Sequence, residues 1–212
     1  SLRWYRQMVG ISSIGDTTVV TDKWMLGTRN SFIVGISATF LATALGTVAA
    51  LGLSRPHMPF KGTIMAILIS PMIVPLIITA AGMFFFYSKV GLTHSYLGLI
   101  LAHTALGTPF VVITVTATLT GFDTNLIRAS QSLGADTMRT FFKVIMPLIL
   151  PGVISGALFA FITSFDEVVV VMFIGSVEQI TIPKQMWAGL RQETSPVILC
   201  MATCLVFLSI AL

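Results

Sequence analysis

Two places in this chain carry residue types that could do chemistry within an otherwise apolar sequence. The first is Asp166 and Glu167, adjacent carboxylates in SFDEVVVV. An Asp near the centre of a spanning helix costs about 2.5–3.5 kcal/mol to insert, so a pair kept there needs a reason. One reason is a cation path, with at least one carboxylate lining it and attracting ammonium groups. The other is a salt bridge or a capped helix end near the outer interface. Aromatic faces also attract ammonium groups, and Tyr87, Trp187 and Phe165 are the candidates. For Tyr87 and Trp187 the competing reading is the aromatic belt of a membrane protein. The second place is residues 121–151, GFDTNLIRASQSLGADTMRTFFKVIMPLILP, a polar, charged stretch between apolar runs. Gly134 stands at its centre, and Pro147 and Pro151 near its end. A loop of this kind suits the docking of a separate protein.

The remaining reactive side chains point to packing. Cys200 and Cys204 sit four apart on an expected helix and read as two buried thiols, because a disulfide or a metal site needs other geometry and more ligands. His94 and His103 do not make a metal site between them. The sequence has no GxxxxGK[ST] phosphate loop, no nucleophile elbow and no HExxH. Catalysis on this chain is therefore not expected.

The elements that must position these residues follow from composition. Of 212 residues, 55% are hydrophobic and 9% charged, where a soluble domain carries roughly 25% charged residues. No Asp, Glu, Lys or Arg lies between Arg29 and Arg55, Lys61 and Lys89, Lys89 and Asp123, or Lys143 and Asp166, nor beyond Glu193. A bilayer core needs about 20 apolar residues at about 1.5 Å each. The gaps predict helices near 31–53, 63–87, 96–119, 151–174 and 195–212, with Asp166 and Glu167 inside the fourth. The expected fold is an all-α polytopic membrane bundle with five spanning helices, since barrel strands would alternate. Residues 1–30 read as an external segment before a transmembrane domain over 31–212. The net charge of +4 does not argue for nucleic acid.

Within the first span Ala38, Ala42, Gly46 and Ala50 recur every four residues, the spacing that lets helices approach closely in lipid. Pro71 and Pro75 in SPMIVP predict a bend, which could be a hinge, a pathway lining or fixed packing. In the central loop Asp123 is the expected N-cap of a short helix. Leu126, Ala129, Ser130 and Leu133 share one face of it. Gly134 is the expected left-handed end. Asp136 then caps a second helix whose apolar face is Met138, Phe141, Phe142 and Ile145. Periodicity alone describes an amphipathic hairpin at the membrane surface. Loop charge favours a cytoplasmic 121–151, because Arg55, Lys61, Arg128, Arg139 and Lys143 outnumber Lys89, Lys184 and Arg191. The N-terminal Arg3, Arg6, Lys23 and Arg29 reverse that total.

The 121–151 stretch resembles the EAA loop of permease subunits of ATP-binding-cassette (ABC) importers. That pattern runs EAA, three residues, glycine, about nine residues, then an apolar residue and LP. Its counterpart here is Arg128-Ala129-Ser130, then Gly134, and later Ile145, Met146 and Pro147. The resemblance is to the spermidine/putrescine type. It extends through TPFVVITVTATLTGFD, SFDEVVVVMFIG and TSPVILCMATCLVFLSIAL, and SLRWY resembles the region after that family's first helix. It implies a type I permease fold with a sixth, N-terminal helix missing, a location in the bacterial inner membrane, and a cytoplasmic 121–151 loop. It implies a second homologous permease, two ATPase subunits holding ATP and magnesium, and an external substrate-binding protein, with no cofactor on this chain. By the same resemblance Asp123, Leu126, Arg128, Ala129, Ser130, Leu133, Gly134 and Ala135 form the ATPase-coupling segment. The chain departs from the pattern where the leading glutamate is Arg128 and the second alanine is Ser130. Arg128 reverses a charge, so either the partner compensates or that contact is absent.

The implied activity is import of a small cation, a polyamine first, with opines, phosphonates or other small amines as alternatives. A gradient-driven secondary transporter would need midplane carboxylates and often inverted repeats, and the sequence shows one off-centre pair and no repeat. A purely structural membrane subunit would not need proline-bent helices or a glycine-centred loop.

Overall fold

The computed structural model describes residues 2–9, 18–55, 57–192 and 196–211, and these are helices and turns without strands. The outer bounds expected for the last helix, Ser195 and Leu212, lie outside the described residues. In chain order the helices are α1 (Leu2–Met8), α2 (Thr18–Leu53), α3 (Lys61–Ile73), α4 (Leu76–Val90), α5 (Tyr96–Thr120), α6 (Asn125–Ser132) and α7 (Thr137–Thr140). A π-helical turn over Phe141–Ile145 leads into α8 (Met146–Phe165), followed by α9 (Val169–Ile174), α10 (Ile182–Gln192) and α11 (Pro196–Ala211).

Among the described residues three stretches are long and apolar enough to cross a membrane: Lys23–Leu53, Tyr96–Thr120 and Thr137–Phe165. The α3–α4 pair makes a fourth if a helix bent by 103° is one span, and the apolar part of α11 is shorter than a full crossing. Against the five spans expected, the described residues match the last only by this shorter helix. The span expected over 63–87 carries the bend that its prolines predict, and it breaks there because Pro75 follows Val74. A proline disfavours helical backbone in the residue before it, and Val74 is extended at φ −71° and ψ 134°. Pro71 stays inside α3.

Two further boundaries move. Residue 30 is not a break, since α2 runs from Thr18 through it. The span expected over 151–174 instead starts at Thr137 and ends at Phe165. Pro147 has no N–H to offer the preceding turn, and the π turn lies directly before it, where one wider turn absorbs the missing bond.

The chain divides into two compact units. One comprises 35–79 and 100–164. Its core is Ala42, Ala50, Val111, Val115, Ile149 and Ala160, from α2, α5 and α8. The small-residue stripe expected of α2 is part of that core, and a Cβ added at Gly46 would stand 2.6 Å from the Val111 Cβ. On α8, Cβ atoms at Gly152 and Gly156 would run into Thr118 and Thr114 of α5. The backbones of these helices are therefore nearly in contact, which hydrogen for a side chain alone permits.

The other unit comprises 1–34, 80–99 and 165–212. Trp24, Ile182, Val197, Ile198 and Met201 form its core, with Trp4, Met8 and Phe165 packed on it. Cys200 is buried there and free, whereas Cys204 is free and exposed, so the expectation of two buried thiols fails for Cys204.

Candidate functional site

The central hairpin is built almost entirely from local bonds. Asp123 Oδ1 accepts the Asn125 N–H at 2.9 Å. The bond reaches two residues on, and the cap position itself is taken by Thr124, whose side chain makes no capping bond. Asp123 thus secures the turn before α6 rather than capping the helix. Asp136 behaves as expected, its Oδ1 accepting the Arg139 N–H at 2.8 Å at the start of α7. Such caps contribute about 1 kcal/mol each.

Gly134 lies at φ 81°. Its N–H donates to the Gln131 carbonyl and the Ala135 N–H to the Ser130 carbonyl. These are the two bonds of a Schellman ending, which needs a left-handed residue where the glycine stands. A Cβ at Gly134 would meet nothing within 4 Å, so the demand for glycine comes from backbone angle alone. Across the turn, Ser130 Oγ lies 2.9 Å from Thr140 Oγ1. Ser130 already donates to the Ile127 carbonyl, and a hydroxyl has one proton, so Thr140 is the donor. An alanine at 130 could not accept that bond, which gives the departure from EAA at this position a structural role.

The expected face of α6 is present but turned outward. Leu126 and Ala129 are exposed, Leu133 is 89% exposed, and Arg128 is exposed as well. Ile127 and Gln131, a different face, line a cavity of about 430 Å³ beneath the hairpin. In the second half Met138, Phe141 and Ile145 line that cavity, with Met138 also largely exposed, and Phe142 is exposed away from it. The expected second helix is α7 followed by the π turn.

The carboxylate pair lies outside the fourth span where it was expected, in the setting of a capped helix end, the competing reading for these residues. Helix α8 stops at Phe165, so Asp166 and Glu167 occupy the break before α9 rather than a spanning helix. Asp166 is exposed and Glu167 buried. Glu167 Oε1 accepts the Val170 N–H at 2.9 Å, satisfying a donor at the start of α9. Of the aromatic candidates, Phe165 packs edge-on against Phe32. Tyr87 is buried, and Trp187 is half exposed with the Arg191 guanidinium 5.6 Å from its ring.

Sequence reasoning missed what holds this region. Asn30, fully buried, donates to the Glu178 and Ile180 carbonyls at 2.8 and 2.9 Å and accepts from the Tyr96 hydroxyl at 2.9 Å. Ser31 Oγ accepts the Ile182 N–H. Lys184 Nζ reaches the carbonyls of Val171, Gly175 and Ser176 at 3.2, 3.3 and 3.4 Å, and burial pushes its amine below the usual lysine range. The only hint was the polar run Thr28-Arg29-Asn30-Ser31 before an apolar stretch. In α5 and α8 the buried His103 Nδ1 lies 2.8 Å from Ser164 Oγ, and its Nε2 has no partner among the described residues. Among the described residues no cluster of metal-ligating side chains occurs.

The family model described as binding-protein-dependent transport system inner membrane component matches residues 42–212. The chain belongs to this family of transport permeases. It is 32% identical over 212 residues to the spermidine/putrescine transport system permease protein PotC of Haemophilus influenzae, covering 100% of this chain and 79% of that protein. It is 28% identical to PotC of Escherichia coli, over 90% of this chain and 72% of that one. The putrescine transport system permease protein PotI of Escherichia coli is also 28% identical, over 96% of this chain and 71% of PotI.

Proposed function

We propose that the chain is one permease subunit of an ATP-driven importer that carries polyamines across the bacterial inner membrane. Spermidine and putrescine are the solutes named for its relatives. The observation that carries the coupling role is the α6 face. Leu126, Ala129 and Leu133 stand outward on a helix whose ends are fixed by its own hydrogen bonds. Exposed apolar side chains on a fixed scaffold mark an interaction site. In this reading a separate ATPase subunit receives that face, holding the ATP and magnesium, and this chain performs no catalysis. A second permease completes the pathway, and an external binding protein delivers the solute. Arg128, exposed beside this face, calls for an acidic residue on the ATPase.

Asp166 is the pathway carboxylate in this reading, because Glu167 is already committed to α9. Phe165, Tyr87 and Trp187 are then packing residues rather than ammonium cages, given their contacts. The test is uptake of labelled spermidine and putrescine into liposomes holding the whole complex, with ATP inside or outside. Asp166→Asn is expected to raise the KM for the dication severalfold at unchanged ATPase coupling. Unchanged kinetics would remove Asp166 from the path. Uptake that survives ATP removal but stops when the ion gradient collapses would replace the reading with a gradient-driven transporter.

A further inference from the structure

The cavity beneath the hairpin is not explained by docking of the outward face. Its walls are mainly apolar, with Leu51 of α2, Leu119 and Phe122 at the end of α5, Ile127 of α6, and Phe141 and Ile145 of the π turn, beside the hydroxyl and amide groups of Ser54, Thr124, Gln131, Thr137 and Thr140. Its volume of about 430 Å³ falls in the range of small-molecule sites. Arg55, just past the end of α2, is the one charged residue on its wall among the described residues. Arg55 also lines a second concavity of about 550 Å³, together with Gly52, His57, Met58 and Pro59. Among the described residues neither concavity has a carboxylate on its wall. Among the described residues the Arg55 guanidinium has no hydrogen-bond or ion-pair partner.

An apolar chamber and an open recess that share one unpaired guanidinium match a molecule with an apolar tail and an anionic head. We infer that this is a binding site for an acidic phospholipid of the cytoplasmic leaflet. An acyl chain enters the chamber, and the phosphate lies between Arg55 and His57. Basic pockets among spanning helices on the cytoplasmic side bind such headgroups, and Lys61 lies close by in sequence to add to the field. The lipid would lie against Ile127 and Phe141, on the side of the hairpin away from Leu133, and so wedge the coupling segment from behind. The site rests on a cytoplasmic hairpin and is independent of which solute is carried.

The test uses the assembled complex in nanodiscs containing phosphatidylglycerol with a photoactivatable group in its acyl chain. The same label on phosphatidylcholine is the control. Adducts mapped by mass spectrometry are expected on the 51–58 and 119–145 peptides, several times more abundant for the acidic lipid. Arg55→Gln, an exposed change that leaves the packing intact, is expected to lower the acidic-lipid adducts about fivefold, to the control level. Ile127→Trp, filling the chamber, is expected to displace the adducts of both lipids. Equal labelling by the two lipids, or labelling indifferent to Arg55→Gln, would overturn the assignment. Failure of polyamine uptake would leave these adducts unchanged, so the two readings fail separately.

Discussion

The hairpin at 121–145 and the region at 165–192 are both polar interruptions in an apolar chain, and they are held in opposite ways. In the hairpin the longest side-chain bond, Ser130 to Thr140, joins residues ten apart. In the second region the bonds from Asn30 to Ile180 and from Ser31 to Ile182 join residues 150 and 151 apart. The hairpin carries its own scaffold and leaves its apolar face uncovered. The second region borrows its scaffold from α2 and α5 and buries polar residues of its own, Glu167, Gln179 and Thr181. A segment meant to be grasped by another protein gains from the first design, and a segment that must stay fixed gains from the second.

The contrast breaks most sharply at Leu133. Leu133→Asp should abolish ATP-dependent uptake, by tenfold or more, at normal yield and an unchanged melting curve, because the side chain supports nothing in its own chain. Wild-type uptake would remove the outward face from coupling. The opposite result is expected of Asn30→Ala, which takes the amide donor from the Glu178 and Ile180 carbonyls and leaves the Tyr96 hydroxyl only its 3.3 Å bond to the Glu178 carbonyl. It should lower stability in detergent by about 2–3 kcal/mol, visible in thermal unfolding, and an unmoved midpoint would show the strap to be dispensable.

Finer changes sharpen the comparison. Gly134→Val should cost about 1–2 kcal/mol through backbone angle alone and reduce coupling of ATP use to uptake. Gly134→Asn should recover much of that loss, since asparagine visits the left-handed region more readily. Equal behaviour of the two variants would mean that conformation at 134 does not matter. The smallest effect belongs to Ser130→Ala, about 1 kcal/mol for one hydrogen bond, read as faster hydrogen exchange over 125–140. No change in exchange would show that the Thr140 bond does not hold the turn.

The same contrast explains how much the sequence disclosed. Gly134 and Asp136 were legible because caps and turns are set within a few residues. Asp123 was placed one residue off, a matter of which neighbouring N–H its carboxylate takes. The small stripe on α2 was legible from period alone. The setting of Asp166 and Glu167 was not, because an uncharged run reads equally well as one helix or as a helix, a break and a short helix. Only the buried Glu167 bond to Val170 decides it. The straps from Asn30 and Ser31 were invisible, because no periodicity links residues 150 apart. At Val74–Pro75 the proline announced a bend but not its size.

The glycine contacts of α2, α5 and α8 also have a mechanical meaning. Side chains between helices act as a cushion that allows one rod to slip along another by changing rotamers. Gly46 against Val111, and Gly152 and Gly156 against Thr118 and Thr114, leave no such cushion. The hairpin is joined to α8 through the π turn without a loop. A push on Leu133 therefore reaches these helices as the movement of a solid lever, with little of the stroke lost to bending on the way.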